Sequence, residues 1–308
     1  MNAADFQAWS DAVLNRVESA LSDWVSAAAP AGLGEAMRYG VLDGGKRLRA
    51  LLVQAAAEAT GACADAVGAE AALRAATAVE LIHAYSLVHD DMPCMDNDVL
   101  RRGKPTVHVQ FGEAQAMLAG DAMQALAFEV LTPDDGEGVG VPPALQARLV
   151  RVLARASGQA GMAGGQAIDL ANVGQSLDEA TLRDMHQRKT GALLRASVQM
   201  GAACGGVPAD SPAWQALTDY GHAIGLAFQI VDDVLDETQG SETLGKTAGK
   251  GADANKPTYV RLLGLEGARI DAAALLAQAL AALARSGLGS EATASLRGLA
   301  ERIVHRDH

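Results

Sequence analysis

Two apolar, helix-compatible runs that each end in a dense cluster of aspartates constrain the fold of this chain most strongly. Residues 78–88 lead into Asp90, Asp91 and Asp96, and residues 225–231 lead into Asp232, Asp233 and Asp236. Carboxylates packed this closely repel one another, and a divalent cation such as Mg²⁺, which takes oxygen ligands, offsets that repulsion. The two clusters therefore predict one acidic pocket that is lined from both sides.

The spacing within each cluster predicts which carboxylates face the pocket. Asp232 and Asp236 are four residues apart and share one helix face, whereas Asp233 points aside. In the first cluster, Pro93 disfavours helix at the residue before it, so a short loop is expected to carry Asp96 back toward the helix end. A single cluster of this kind is more often a solvated helix end. Two clusters, each with a basic segment nearby, favour a functional site instead.

The composition favours an all-α protein. Of the 308 residues 49% are hydrophobic and only 4% are aromatic, and residues that favour strands are sparse. Helices are predicted near residues 4–28, 33–60, 66–92, 112–131, 143–161, 178–204, 211–238, 256–286 and 289–306. No break between them has the composition of an interdomain linker, so residues 1–308 are predicted to form a single helical domain.

Charge and hydropathy argue against several classes of partner. The formal net charge of -12 disfavours binding to nucleic acids or to anionic membranes. The N-terminal segment, residues 1–16, is polar and acidic, and no uninterrupted apolar run of about 18 residues occurs. The three cysteines show no metal-ligand spacing. A cytoplasmic protein without a nucleic-acid or membrane partner is expected.

Three basic segments complement the carboxylates. They contain Lys46, Arg47 and Arg49 after the glycine pair that ends at Gly45, then Arg101 and Arg102, and finally Lys246 and Lys256. Arginine binds phosphate oxygens bidentately and lysine supplies a point charge, so these segments predict a diphosphate site. Residues 240–247 also match the P-loop pattern, but no strand precedes them, and the match is interpreted as accidental.

Ordered motifs between about residues 34 and 269 resemble the trans-isoprenyl diphosphate synthases, and among them the bacterial farnesyl diphosphate synthases. The strongest stretch runs from Leu81 to Asp91, and it continues through residues 101–106, 111–113 and 120–121. The resemblance implies an all-α bundle around a deep central cavity, usually in a homodimer. It also implies head-to-tail condensation of isopentenyl diphosphate with an allylic diphosphate, either dimethylallyl or geranyl diphosphate.

The resemblance also implies roles for individual residues. Mg²⁺, expected as three ions per site, would be held by Asp90, Asp91, Asp96, Asp232 and Asp236, with Asp233 completing the second motif. The allylic diphosphate would contact Arg101, Lys189 and Lys246. The isopentenyl diphosphate site would comprise Gly45, Lys46, Arg49, His83 and Arg102, and Lys256 is a further substrate-binding candidate. Thr190 and Gln229 would line the reaction centre.

Product length is expected to depend on Tyr85 and Ser86, which lie about one turn before Asp90 and resemble the arrangement that gives farnesyl diphosphate. Synthases of geranyl or geranylgeranyl diphosphate are the close alternatives. A class I terpene cyclase would not need the isopentenyl site, and a non-catalytic partner subunit typically loses aspartates that are complete here. The chain departs from the family pattern at Ala50, where proline is usual, and at Val99 and Gly251, where aspartate is usual.

Overall fold

The computed structural model describes residues 1–42, 44–134, 136, 139–175, 177–238 and 258–306. Thirteen α-helices are numbered here within those ranges: α1 Ala3–Trp24, α2 Leu33–Val41, α3 Leu48–Ala59, α4 Ala66–Asp90, α5 Val107–Phe111, α6 Glu113–Leu131, α7 Pro143–Ser157, α8 Met162–Ala171, α9 Glu179–His186, α10 Ala192–Cys204, α11 Pro212–Thr238, α12 Tyr259–Arg285 and α13 Ala294–Val304. A short π-helical turn, Gln187–Gly191, joins α9 to α10. The strands of the described part are β1, Leu100–Arg101, and β2, Lys104–Pro105, which pair as an antiparallel hairpin. The predicted all-α class is confirmed.

Polar side chains fix where several helices begin. Asn2 forms a capping box at the start of α1, and Asp65 accepts a hydrogen bond from the Gly68 N–H at the start of α4. Asp178 and Thr258 cap α9 and α12 in the same way. Each cap satisfies a backbone N–H group that has no partner inside its own helix.

The core is centred on α4 and α10. Helix α4 is buried along most of its length, and α10 packs against α3, α4, α7 and α11. Helices α11 and α12 lie along each other, and α13 packs on both. The buried Tyr220 hydroxyl donates to the Leu296 carbonyl at 2.6 Å, which ties α11 to α13. Helix α10 thus contacts both helices that end in the aspartate motifs, α4 and α11.

The predicted helix over residues 33–60 is wrong because the chain forms two helices, α2 and α3. Gly44, Gly45 and Arg47 adopt positive φ angles of 72°, 120° and 42°, and these angles interrupt a right-handed helix. The predicted helix over residues 143–161 ends at Ser157, and the separate helix α8 follows it. The predicted helix over residues 178–204 contains the π-helical turn, whose backbone packs closely against α8 and α11.

One helix of the described chain, α12, is long and apolar enough to span a membrane by length and composition, a criterion that core helices also meet. Gly264 interrupts its helical backbone with a φ of 72°, and α12 packs along α11.

Candidate active site

The first aspartate motif lies where α4 ends. The Asp96 N–H donates to the Asp90 carbonyl at 2.9 Å, and the Asp98 N–H donates to the Asp91 carbonyl at 3.1 Å. The loop after α4 therefore folds back on the helix end. This confirms the predicted return of Asp96 toward Asp90.

Asp91 and Arg101 form a bidentate ion pair beside this helix end. The Arg101 Nη2 and Nε groups donate to the two Asp91 oxygens at distances of 2.7 to 3.1 Å, and Asp91 is buried. Arg101 lies on β1, so the hairpin delivers this cation to the aspartate motif. Both Asp91 oxygens thus hold an arginine, and Asp91 orients a cation toward the site.

Asp90 has a different environment. Burial raises the pKa of Asp90 to about 6, and the charges of Asp96 and Asp91 act in the same direction, while the charges of Lys189 and Arg101 oppose the shift. No hydrogen-bond donor holds this carboxylate within the described residues. Such a carboxylate is well suited to an added cation, because the cation supplies the compensation that burial removes.

The second motif separates its aspartates as predicted. Asp233 points into the protein, where it accepts hydrogen bonds from Gln229 Nε2 at 3.0 Å and from the Tyr259 N–H at 2.8 Å. Burial raises the pKa of Asp233 to about 6. Asp232 lies on the other side of α11 and is partly exposed. Asp233 therefore anchors the start of α12, and Asp232 is left to face the site.

Arg306, near the C-terminus, lies against the second motif. Its Nη2 group donates to Asp232 Oδ1 at 3.0 Å and to the Phe228 carbonyl at 3.1 Å, and its guanidinium stacks over the Phe228 ring at 4.3 Å. The charges of Arg306 and Asp232 both influence Lys46. The basic segment after α2, the end of α11 and the C-terminal segment therefore meet in one region.

The π-helical turn presents Lys189 and Thr190. Lys189 Nζ donates to Asp169 Oδ2 at 2.6 Å, and Thr190 Oγ1 donates to Gln229 Oε1 at 3.2 Å. A Cβ atom on Gly165 of α8 would lie 2.2 Å from the Lys189 backbone nitrogen. Glycine at position 165 thus lets α8 approach the turn closely, and π-helical turns often mark functional sites.

The isopentenyl diphosphate candidates form a second cluster. Arg102 Nη1 donates to the Gly44 carbonyl at 2.6 Å, and the Arg102 guanidinium lies beside Gly45. Burial and the nearby charges of Arg49, Arg101, Arg102 and Arg47 hold the pKa of His83 well below its usual range. The structure thus brings His83 to the same cationic cluster as Arg49 and Arg102.

The two candidate residues for product length lie on α4 below the aspartates. Tyr85 is buried, its hydroxyl accepts a hydrogen bond from Gln124 Nε2 of α6 at 3.3 Å, and its ring packs edge-on against His89. The Ser86 hydroxyl donates to the His83 carbonyl at 2.8 Å. Tyr85 thus spans the gap between α4 and α6.

The donor set fits Mg²⁺, although no three His, Cys, Asp or Glu side chains converge on one point within the described ranges. Mg²⁺ is usually held by one or two carboxylates together with waters and substrate phosphates. Asp90, Asp96, Asp232 and Asp236 are the oxygen donors suited to this arrangement, whereas Asp91, which was also predicted to hold Mg²⁺, binds Arg101 with both oxygens. Lys246 and Lys256 lie outside the described residues.

Several residues of the site have no role in the sequence-based prediction. They are Glu80, Asp169, Tyr259 and Arg306. Arg47, which was predicted to belong to a diphosphate-binding segment, instead turns inward to Glu18 and Glu80. Glu80 carried a detectable signal, because it is a carboxylate within the otherwise apolar run that precedes the first aspartate motif. Tyr259 contacts Asp233 through its backbone N–H, and a pattern of side-chain types cannot predict such a contact.

The chain is similar over most of its length to known prenyl diphosphate synthases. The chain is 46% identical over 273 residues to a farnesyl diphosphate synthase of Escherichia coli (strain K12), covering 89% of each chain. It is 44% identical to a geranylgeranyl pyrophosphate synthase of Capsicum annuum, covering 95% of this chain and 76% of the other.

Two solved structures share the fold. An FPP/GFPP synthase from Zymomonas mobilis superposes with a TM-score of 0.84 at 43% identity and covers 98% of this chain and 100% of its own. A Helicobacter pylori geranyltransferase, solved with magnesium and isoprenyl diphosphate, superposes with a TM-score of 0.81 at 31% identity over 99% and 98% of the chains. The polyprenyl synthetase family profile matches residues 30–287. This chain belongs to the polyprenyl synthetase family.

Proposed function

We propose that this chain is a prenyltransferase that condenses isopentenyl diphosphate with dimethylallyl and then geranyl diphosphate to give farnesyl diphosphate. The observation that carries the proposal is the meeting of both aspartate motifs with basic residues: the charge of Lys189 acts on Asp90, and the charge of Asp232 acts on Lys46. Anionic diphosphates need cations, and Mg²⁺ needs carboxylates, so a site with both suits a Mg²⁺-diphosphate complex.

In the proposed reaction the C1–O bond of the allylic diphosphate breaks, and its electron pair leaves with the diphosphate. Mg²⁺, when bound by Asp90, Asp96, Asp232 and Asp236, neutralises charge on the diphosphate. Arg101 and Lys189 add positive charge where negative charge develops. Asp91 and Asp169 orient these two cations through ion pairs of 2.7 and 2.6 Å.

The isopentenyl double bond then attacks C1 of the allylic cation, and a proton leaves C2 of the isopentenyl unit, with the departing diphosphate as its proposed acceptor. Lys46, Arg49 and Arg102 bind the isopentenyl diphosphate in this scheme. Thr190 and Gln229, which are joined by a hydrogen bond of 3.2 Å, line the reaction centre in this scheme. Apolar side chains along α4 keep water from the cation.

Product length is the sharpest test of the proposal. Purified protein with Mg²⁺, isopentenyl diphosphate and dimethylallyl diphosphate should yield farnesol after dephosphorylation and chromatography. Tyr85→Ala should lengthen the product, because it removes the buried ring that reaches α6, and Ser86→Phe should shorten it. Unchanged products in both variants would contradict the role of these residues. Geranylgeraniol from the wild-type protein would favour the alternative that the Capsicum annuum relative suggests, and no prenyl alcohol would favour a partner subunit.

We also propose that the protein is a homodimer of single-domain subunits in the cytoplasm. Support for the dimer comes from α6, where Met117 and Leu118 are 41% and 54% exposed on the outward side. Large apolar side chains that are adjacent and exposed are typical of interaction surfaces. The proposal includes no nucleic-acid or membrane partner.

A further inference from the structure

Arg47, the central residue of the basic segment, does not face the substrate site. It adopts a left-handed backbone conformation with a φ of 42° and is buried. Its guanidinium donates to the Val41 carbonyl at 2.5 Å and to Glu18 Oε1 at 2.7 Å. Arg47 thus turns inward, whereas Lys46 before it is exposed and Arg49 after it is partly buried.

Glu80 of α4 contacts both Arg47 and the backbone of Ala50. Its side chain is only 1% exposed, its Oε2 atom lies 3.6 Å from Arg47 Nη1, and its Oε1 atom accepts a hydrogen bond of 3.0 Å from the Ala50 N–H. Ala50 lies in the first turn of α3, whose N-cap residue, Arg47, makes no side-chain cap. A carboxylate at this position satisfies an unpaired N–H group and complements the helix dipole.

The charge of Glu80 also reaches the substrate side. Burial lowers the pKa of Arg49, and the charge of Glu80 opposes that shift. Glu80 lies three residues before His83 on the same side of α4. The charges of four arginines lower the pKa of His83. A single buried carboxylate thus compensates cations that otherwise repel one another when no diphosphate is bound.

We propose that Glu80 is a positioning residue for isopentenyl diphosphate: its charge holds Arg47, and so positions Lys46 and Arg49, on either side of Arg47 in the chain, to bind the diphosphate. The inference rests on the proposed function, but it concerns one of the two substrates only. Loss of the Glu80 charge therefore affects isopentenyl diphosphate more strongly than the allylic substrate, whose candidate contacts Arg101 and Lys189 have their own carboxylate partners.

The test is steady-state kinetics of Glu80→Gln, which keeps the shape of the side chain and removes its charge. We expect the KM for isopentenyl diphosphate to rise by about tenfold or more, with the KM for geranyl diphosphate within about threefold of wild type. Glu18→Gln is the matched control, because Glu18 contacts the same arginine from a 37% exposed position, and it should change either KM by less than about threefold. Calorimetric titration with isopentenyl diphosphate alone should show weaker binding to Glu80→Gln than to wild type or to Glu18→Gln.

A second pair of variants separates charge from helix capping. Ala50→Pro removes the N–H that Glu80 accepts and leaves its charge, so both KM values should stay near wild type. If Ala50→Pro reproduces the Glu80→Gln defect, the charge is not responsible and the proposal is overturned. If Glu80→Gln does not fold, Arg47→Lys takes its place in the experiment. Arg47→Lys should raise the KM for isopentenyl diphosphate and leave the KM for geranyl diphosphate near its wild-type value.

Equal changes in both KM values, or a change in thermal stability alone, would also overturn the proposal while leaving the reaction intact. An inactive wild-type protein would instead contradict the proposed function itself.

Discussion

Adjacent aspartates in this chain perform different tasks, and their neighbours decide which. Asp91 holds Arg101 with both oxygens, whereas Asp90, the preceding residue, has no such partner among the described residues. Asp233 anchors the Tyr259 N–H, whereas Asp232 faces the C-terminal Arg306. One carboxylate of each adjacent pair thus organises the protein, and the other remains for a cation.

Asp90→Asn should stabilise the metal-free protein and inactivate it. The folded pKa of about 6 lies above the unfolded value of roughly 4, so ionised Asp90 costs stability above pH 6, and the cost disappears as the pH falls through 4. We expect the free energy of unfolding in urea with EDTA to exceed that of wild type by about 1–3 kcal/mol at pH 8 and to match it near pH 4. Turnover should fall at least about a hundredfold.

Asp210→Asn is the control for this experiment, because Asp210 is exposed at a turn before α11. Equal stability of wild type and Asp90→Asn at pH 8 would show that burial does not penalise the Asp90 charge.

At the scale of elements, close backbone packing positions the π-helical turn. Gly165 of α8 abuts the Lys189 backbone, and Gly225 of α11 approaches Gly191, where an added Cβ would lie 2.8 Å from the Gly191 Cα atom. These contacts hold Lys189 and Thr190 between two helices. Larger side chains at either glycine would push against backbone atoms, which cannot move aside like the end of a flexible side chain.

Gly165→Ala should therefore displace Lys189. The added methyl group would lie 2.2 Å from the Lys189 nitrogen, and we expect a loss of about 1–3 kcal/mol in unfolding free energy. The KM for geranyl diphosphate should rise by about tenfold, since misplacing a positioning residue by an ångström has effects of this size or larger.

Gly140→Ala provides the control for Gly165→Ala, because no atom lies within 4 Å of the Cβ it would add. Its stability should stay within about 0.5 kcal/mol of wild type. If the kinetic constants of Gly165→Ala equal those of wild type, α8 has shifted to accommodate the added methyl group, and the π-helical turn has stayed in place.

At the scale of the whole molecule, α6 is apolar on two sides. Its inner side packs against α4 and contains the buried Met123 and Ala127. Its outer side exposes Met117 and Leu118. A helix that is apolar on both sides is typical of a helix covered on both sides, which agrees with the proposed dimer.

Leu118→Glu should convert the proposed dimer to a monomer. A charge buried without a partner in an interface costs several kcal/mol, which is enough to dissociate a dimer at micromolar concentration. Sedimentation velocity measures the change directly. Ile270→Glu on α12, which is 63% exposed on another helix, should leave the dimer intact. A Leu118→Glu protein that sediments as wild type would place the interface on another surface.

The helices, the all-α class and the two aspartate motifs could be predicted from the sequence, because apolar periodicity, caps and spacing act over a few neighbouring residues. Even the return of Asp96 to the end of α4 followed from Pro93. The break between α2 and α3 was missed although the glycine pair Gly44–Gly45, which adopts positive φ angles, is a local signal for it. The contacts of Arg47 with Glu18 and Glu80, which are far away in the chain, could not be predicted.

Only the tertiary structure decided which carboxylates serve the protein and which face the site. The pairs formed by Glu80 with Arg47, Asp169 with Lys189, and Asp232 with Arg306 join residues separated by 20 or more positions. Local patterns determine helices, but the partner of a buried charge depends on which helices the hydrophobic core brings together. The sequence thus specified the chemistry available to this protein, and packing assigned each charged residue its task.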